Sequence, residues 1–235
     1  MLEKTRETAV PISSPATPAK WSSGSLRINL MPKKPFLLAL ACVALFQGCG
    51  LDLDWRRDEE YNNTIQPPEE VMNTIGVKEG MVIGEFGAGY GRYTIPLARR
   101  VGETGYVYAN DIQKSSLVFL AKRCQRAGLK NVKTILGKAD DPLFPRGSLD
   151  MAFSTLVYHE IDSPVAFLKN LFPALKPDAT LVIVDNDPEK NTEKSNLGRD
   201  WQQEFEDAGF DILKRQVLHD RDVIFILKAK ASAGF

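Results

Sequence analysis

From Pro67 to Lys228 the chain alternates short apolar runs with apolar positions at helical spacing. Met81-Val82-Ile83 is a brief apolar run ending at Glu85-Phe86, the pattern of a buried strand. Ile95, Leu97, Ala98 and Val101 then recur at helical spacing between Thr94 and Val101. A second strand is predicted over Tyr106–Asp111 and a helix from about Lys114. Strands follow over Asn131–Leu136 and Leu149–Phe153. A helix from about Pro164 is expected to end at Leu175-Lys176-Pro177, ahead of a buried strand over Leu181–Val184. Trp201, Phe205 and Ala208 share a helix face, and Gly209 stops that helix. Phe210–Gln216 and Val223–Leu227 read as a hairpin. Strand and helix in alternation predict an α/β domain over residues 67–230.

The front of the chain breaks this pattern. Residues 1–30 are rich in Ser, Thr and Pro and read as a disordered extension. Residues 31–49 place Lys33-Lys34 ahead of an apolar run from Phe36 to Phe46, then Gln47-Gly48-Cys49, the order of a secretory signal. The run is shorter than the ~20 residues a membrane-spanning helix needs. Its end resembles a bacterial lipoprotein cleavage box, which makes Cys49 a candidate lipidated residue and predicts membrane attachment or export. If the signal is not used, the protein stays in the cytoplasm. Residues 50–66 are expected to be a linker.

Charge sharpens the picture of partners. The chain has 30 Lys/Arg and 30 Asp/Glu. Six of the bases and two of the acids precede Cys49, so the remainder carries an acidic excess of four. A mildly acidic domain with no evident basic cluster argues against a nucleic-acid partner. The three cysteines, Cys42, Cys49 and Cys124, give neither a disulfide framework nor zinc spacing, and no metal site is expected.

Candidate chemistry begins between the first strand and its helix, in Gly84-Glu85-Phe86-Gly87-Ala88-Gly89-Tyr90-Gly91. Glycines there permit positive φ and let a ligand approach the backbone. The helix beyond offers free N–H groups. A dinucleotide turn wants G-x-G-x-x-G; here the third glycine comes one place early and Arg92 holds the expected slot. That spacing argues against a nicotinamide oxidoreductase. With Glu85 two places ahead of Gly87, it resembles the first motif of class I S-adenosylmethionine (SAM)-dependent methyltransferases. "GYVYANDIQ", "GSLDMAF" and "LKPDATLVIVD" resemble later motifs of that family, in register over about Pro67 to Lys228. The resemblance implies a Rossmann-like, seven-stranded, mostly parallel sheet with an antiparallel C-terminal strand and helices on both faces.

It also implies a cofactor and a site. Glu85, Gly87, Ala88, Gly89 and Gly91 would meet the methionine end of SAM. Asp111, with Ile112 beside it, stands where the family binds ribose hydroxyls; its plainer reading is a cap on the next helix. Asp140, with Asp141 as the near alternative, matches the acid or amide that meets adenine. "TLVYHEID" follows the fourth strand, where the methyl group is expected. His159 is a candidate general base there, with loop-pinning as its alternative, and Tyr158 a second candidate, more for packing than for chemistry. Asp185 and Asn186 end the fifth strand beside the expected acceptor pocket. The function so implied is methyl transfer to a small acceptor. The rival is a catalytically silent, lipid-anchored binding protein on the same fold, because an exported domain faces away from the cytoplasm, where SAM is made.

Overall fold

The computed structural model describes residues 55–190, 198–219 and 221–230. The candidate signal segment and Cys49 lie outside them.

The described chain opens with helix α1 (residues 55–65), where a linker was expected. Helix α2 (Pro68–Ile75) follows at once: Pro68 supplies a preset φ at the first helical position, and Gly76 closes the helix in the left-handed region at φ 77°. Then β1 (Val82–Phe86), α3 (Thr94–Val101), β2 (Tyr106–Asp111), α4 (Lys114–Arg126), β3 (Val132–Leu136) and β4 (Leu149–Thr155) alternate. After β4 come a 3-10 turn (Tyr158–Glu160), α5 (Pro164–Leu171) and a second 3-10 turn (Phe172–Ala174). The remaining elements are β5 (Leu175–Asn186), α6 (Trp201–Asp207), β6 (Phe210–Leu218) and β7 (Asp222–Ala229).

The seven strands form one sheet in the order β3-β2-β1-β4-β5-β7-β6. β1 to β5 are mutually parallel, and β7 inserts antiparallel between β5 and β6. Side chains of period two feed two cores. Ala152, Leu181 and Ile183 join Phe167, Leu171, Trp201 and Phe205 on the α5–α6 face. Met151, Phe153, Val182 and Val184 join Val71, Met72, Tyr93 and Leu97 on the α2–α3 face. Helices thus cover both faces, as a mostly parallel sheet requires.

One boundary departs from expectation. Leu175-Lys176-Pro177 does not end a helix; it begins β5, because Leu175 pairs with Leu149 across a bulge before regular pairing resumes at Met151↔Thr180. Helical spacing cannot separate a helix end from a bulged strand start when Pro and Asp intervene. The strand order reverses between β1 and β4, so their carboxyl ends open a crevice.

Candidate active site

The β1–α3 turn lies at the floor of this crevice. Gly87, Gly89 and Gly91 all adopt positive φ, 69°, 51° and 89°. Their roles differ. A Cβ on Gly87 would overlap the Val157 side chain, and one on Gly91 would overlap Leu120 of α4. A Cβ on Gly89 would meet nothing within 4 Å. Two glycines therefore serve packing, and Gly89 leaves an open cradle. Ala88 tucks under α4 with Leu117 and Leu120, and its N–H donates to the Asn110 carbonyl at 2.8 Å.

Two pockets meet at Gly87, Gly89 and Val157 and form one cleft. The first, of about 340 Å³, runs over the end of β2. Asp111 and Ile112 line it, with Ala139 and Phe167 as further apolar wall. The Asp111 carboxylate accepts the Gly89 N–H at 2.8 Å and the Gln113 N–H at 2.8 Å. Asp111 thus faces the cleft, and it holds the N–H of Gln113, the residue before α4, without capping the helix itself. Asp140 does not line the cleft. A tight Lys138–Asp141 bridge turns its side chain to solvent, and its carbonyl accepts from Asn170. Lys138 and Ala139 hold the wall instead. Asp141, the alternative, spends its carboxylate on the Leu143 N–H.

The second pocket, of about 240 Å³, lies between the glycine turn and α1. Glu85 stands at its base, fully buried, and accepts a hydrogen bond from the Thr94 hydroxyl. Burial pushes its carboxyl up to about 8, against the lowering effects of Thr94 and Arg92, and the nearby Asp111 charge adds to the rise. Arg92 lines the same pocket. Its guanidinium donates to the Gln66 side-chain oxygen at 2.9 Å and to the Thr155 hydroxyl at 2.7 Å, and it lies over the Tyr93 ring. Gln66 is completely buried and also accepts from Tyr93 and donates to Asp222 at 3.0 Å. Trp55, Asp58, Glu59 and Asn62 of α1 form the outer wall. Arg123 fastens that helix: it pairs with Glu59 at 2.8 Å, lies over the Trp55 ring and donates to the Tyr90 carbonyl.

The segment after β4 is bent by Leu156, a non-glycine residue at φ 54° whose N–H donates to Val184. Strain of this kind persists only where the surroundings enforce it. The bend sends Tyr158 inward. It is fully buried against Trp201 and Phe205, its hydroxyl donates to Glu204 at 2.9 Å, and it does not reach the cleft. Tyr158 is thus a core residue that anchors α6. His159 turns toward β5: Nδ1 lies 2.7 Å from the Asp185 carboxylate, and Nε2 lies 3.8 Å from Glu160, which lines the cleft. His159, Asp185 and Asn186 do not line it, and the last two are buried.

The described cleft fits SAM on its own features: an open glycine cradle, carboxylates at two levels and an aliphatic wall between them. A methyltransferase domain family model matches residues 77–222. This chain belongs to the methyltransferase domain family. Its fold is that of the class I methyltransferases, enzymes that use SAM. A SAM-dependent methyltransferase from Aquifex aeolicus is 29% identical, with a TM-score of 0.62 over 68% of this chain and 88% of that one. Geranyl diphosphate C-methyltransferase from Streptomyces coelicolor A3(2) shares the fold, at 12% identity and a TM-score of 0.59 over 70% and 80% of the two chains. Among curated relatives, a demethylmenaquinone methyltransferase of Geobacillus stearothermophilus is 28% identical over 57% of this chain and 52% of its own. A ubiquinone/menaquinone biosynthesis C-methyltransferase of Citrobacter koseri is 27% identical over 48% and 46%. The methyltransferase chain spans about half the length of these curated relatives.

α1, Gln66 and Arg92 were not assigned to the site from sequence. Trp55 and the acids after it carried a weak helical signal; Gln66 carried none, since its side-chain partners lie 26 to 156 residues away.

Proposed function

We propose that this protein transfers the methyl group of SAM to a small, electron-rich ring of the phenol or quinol class. The observation that carries the reading is Gly89, whose open side faces a cleft held between the Asp111 and Glu85 carboxylates. The names of the curated relatives support the acceptor class. When bound, SAM supplies an electrophilic methyl on a sulfonium. Asp111 would accept from the ribose hydroxyls, Ile112 and Ala139 would flank the adenine, and Glu85 and Arg92 would hold the ammonium and carboxylate of the methionine end. Displacement at a methyl group needs chiefly alignment and exclusion of water, and α1 closes the methionine side. A phenol or ring carbon must also lose a proton. His159, set by Asp185 at Nδ1 and beside Glu160 of the cleft wall, would serve as the base that takes this proton.

Radiolabelled methyl transfer to a short-chain hydroxynaphthoquinol tests the reading on the full chain. His159→Ala is expected to lower turnover by about 10²–10⁴-fold while SAM affinity stays within twofold. Loss of affinity and of folding together would make His159 a structural residue.

The silent, lipid-anchored alternative draws on the signal-like segment before Cys49. It predicts a mature chain that starts at Cys49, carries lipid and shows no turnover. Mass analysis of the native N-terminus decides the first two points: a soluble, unprocessed chain that keeps residues 31–48 removes the anchor from either reading.

A further inference from the structure

The acidic average of the domain hides a segregated charge. Between Asp111 and Asp140 the chain has seven Lys/Arg and no acid. This stretch is α4, β3 and their connection, at one edge of the sheet: β3 pairs only with β2. α4 buries Ser116, Leu117, Leu120 and Cys124. At 100° per residue, Lys114, Val118, Lys122 and Arg126 then fall on its outer side, and all four are exposed. Lys130 and Lys133 follow, also exposed. Arg123 is spent on Glu59, but Lys114, Lys122, Arg126, Lys130 and Lys133 form no ion pair with a described residue.

Aliphatic side chains stand among these cations. Ile112 is 61% exposed, Val118 49%, Leu136 49% and Leu143 44%. Four of the eight most exposed large hydrophobics of the described chain thus belong to this edge or to the loop that follows it. Leu143 is held there at φ 57°, a costly conformation for a leucine. Ile112 also lines the cleft, so the edge and the cleft opening adjoin.

We propose that the α4–β3 edge docks on an anionic lipid surface, with the cations against the headgroups and Ile112, Val118, Leu136 and Leu143 at the acyl boundary. Basic residues combined with aliphatic ones match that surface on both counts. A single-stranded nucleic acid would call for exposed aromatic platforms among the cations, and the four side chains here are aliphatic. No helix among the described residues is long and apolar enough to cross a membrane. Docking in this way would present the cleft opening to the lipid surface. The inference stands apart from the identity of the acceptor and from any lipid on Cys49.

The test uses the full chain with Cys49→Ser throughout, so that no acyl chain contributes. Co-sedimentation is measured with phosphatidylcholine vesicles, with and without phosphatidylglycerol, and binding to bulk RNA is measured beside it. The parent chain is expected to prefer the anionic vesicles and to lose that preference as salt rises. Lys114→Glu, Lys122→Glu and Arg126→Glu together should weaken that binding by about a hundredfold. The same charge change elsewhere, at the exposed Lys78, Lys169 and Lys214, should shift it by less than threefold. None of the six residues lines the cleft, so SAM affinity and circular dichroism verify folding; the milder Lys114→Gln, Lys122→Gln, Arg126→Gln set replaces the reversal should it misfold. Equal losses in both triple variants, no preference for anionic vesicles, or RNA binding that alone responds to the α4 variant would overturn the proposal.

Discussion

Glu85 is a carboxyl group on a central strand with almost no access to water, and burial raises its pKa. A pKa near 8 means that the free protein holds it largely neutral at pH 7. The ammonium of SAM favours the ionised form, so binding should release a proton below pH 8, and affinity should rise from pH 6 to 8. Calorimetry in buffers of different ionisation heat measures the proton directly; Glu85→Gln should abolish this contribution. The stability of the free protein runs the other way. The native state binds the proton more tightly than the unfolded chain does, so this contribution is complete below pH 4.5 and is lost as pH rises through 8. Thermal unfolding of parent and Glu85→Gln across that range checks the sign. Asp111 is the second decisive residue. Hydrogen bonds to a charged group are worth roughly 1.5–3 kcal/mol each, so Asp111→Ala should weaken SAM binding at least about tenfold. It should also destabilise the fold, since the Gly89 and Gln113 N–H groups lose their acceptor. A strand-end acid facing a cleft reads as dispensable for folding; the tertiary bond to Gly89 makes it otherwise.

At the scale of elements, the glycine turn divides its work between packing and ligand, and substitution separates the two. Gly91→Ala drives a methyl group into Leu120 at a φ of 89°. It should lower unfolding free energy by about 1–3 kcal/mol, as overpacking does, and its effect on SAM affinity should follow from that. Gly89→Ala has free space around its new methyl group, which would stand in the cleft. It should abolish measurable binding with a smaller loss of stability. Denaturant melts and calorimetry on the same pair decide. Helix α1 is the other element of consequence. Its hold on α4 through Glu59, Arg123 and Trp55 is a partly exposed ion pair with a stacked ring, worth about 1 kcal/mol. Arg123→Ala should therefore raise amide exchange across residues 55–65 and weaken SAM binding several-fold. Unchanged exchange in that segment would show that α1 is held by other contacts.

For the whole molecule, the boundary of the folded unit is the point at issue. Gln66 joins Arg92 and Thr155 to Asp222, so the chain before α2 ties the cleft floor to the start of β7. A chain starting at Pro67 would leave the buried Asp222 without its Gln66 donor and open the Arg92 pocket to water. Leaving a buried polar group without its partner costs about 1–3 kcal/mol, which at this size lowers the melting temperature by roughly 2–12 °C. A chain starting at Leu51 keeps the network and should melt with the full-length protein. Equal melting temperatures for the two truncations would reduce α1 and Gln66 to surface additions.

Local pattern determined much of this protein. The α/β alternation, the limits of α3 and β2, the glycine turn and the acids at Glu85 and Asp111 were legible because each follows from period, turn chemistry or short spacing. The start of β5 was not, since pairing with Leu149 overrides the helical run before it. Nor was the fate of "YHE": the left-handed bend at Leu156 decides that Tyr158 enters the core while His159 meets Asp185, 26 residues on. Asp140 was misplaced for a like reason, a two-sided bridge that turns one side chain outward. Which glycine faces the ligand, what Gln66 joins and where the cations gather all depend on neighbours distant in sequence. Periodicity reports which way a residue faces within its own element; only packing decides what it faces.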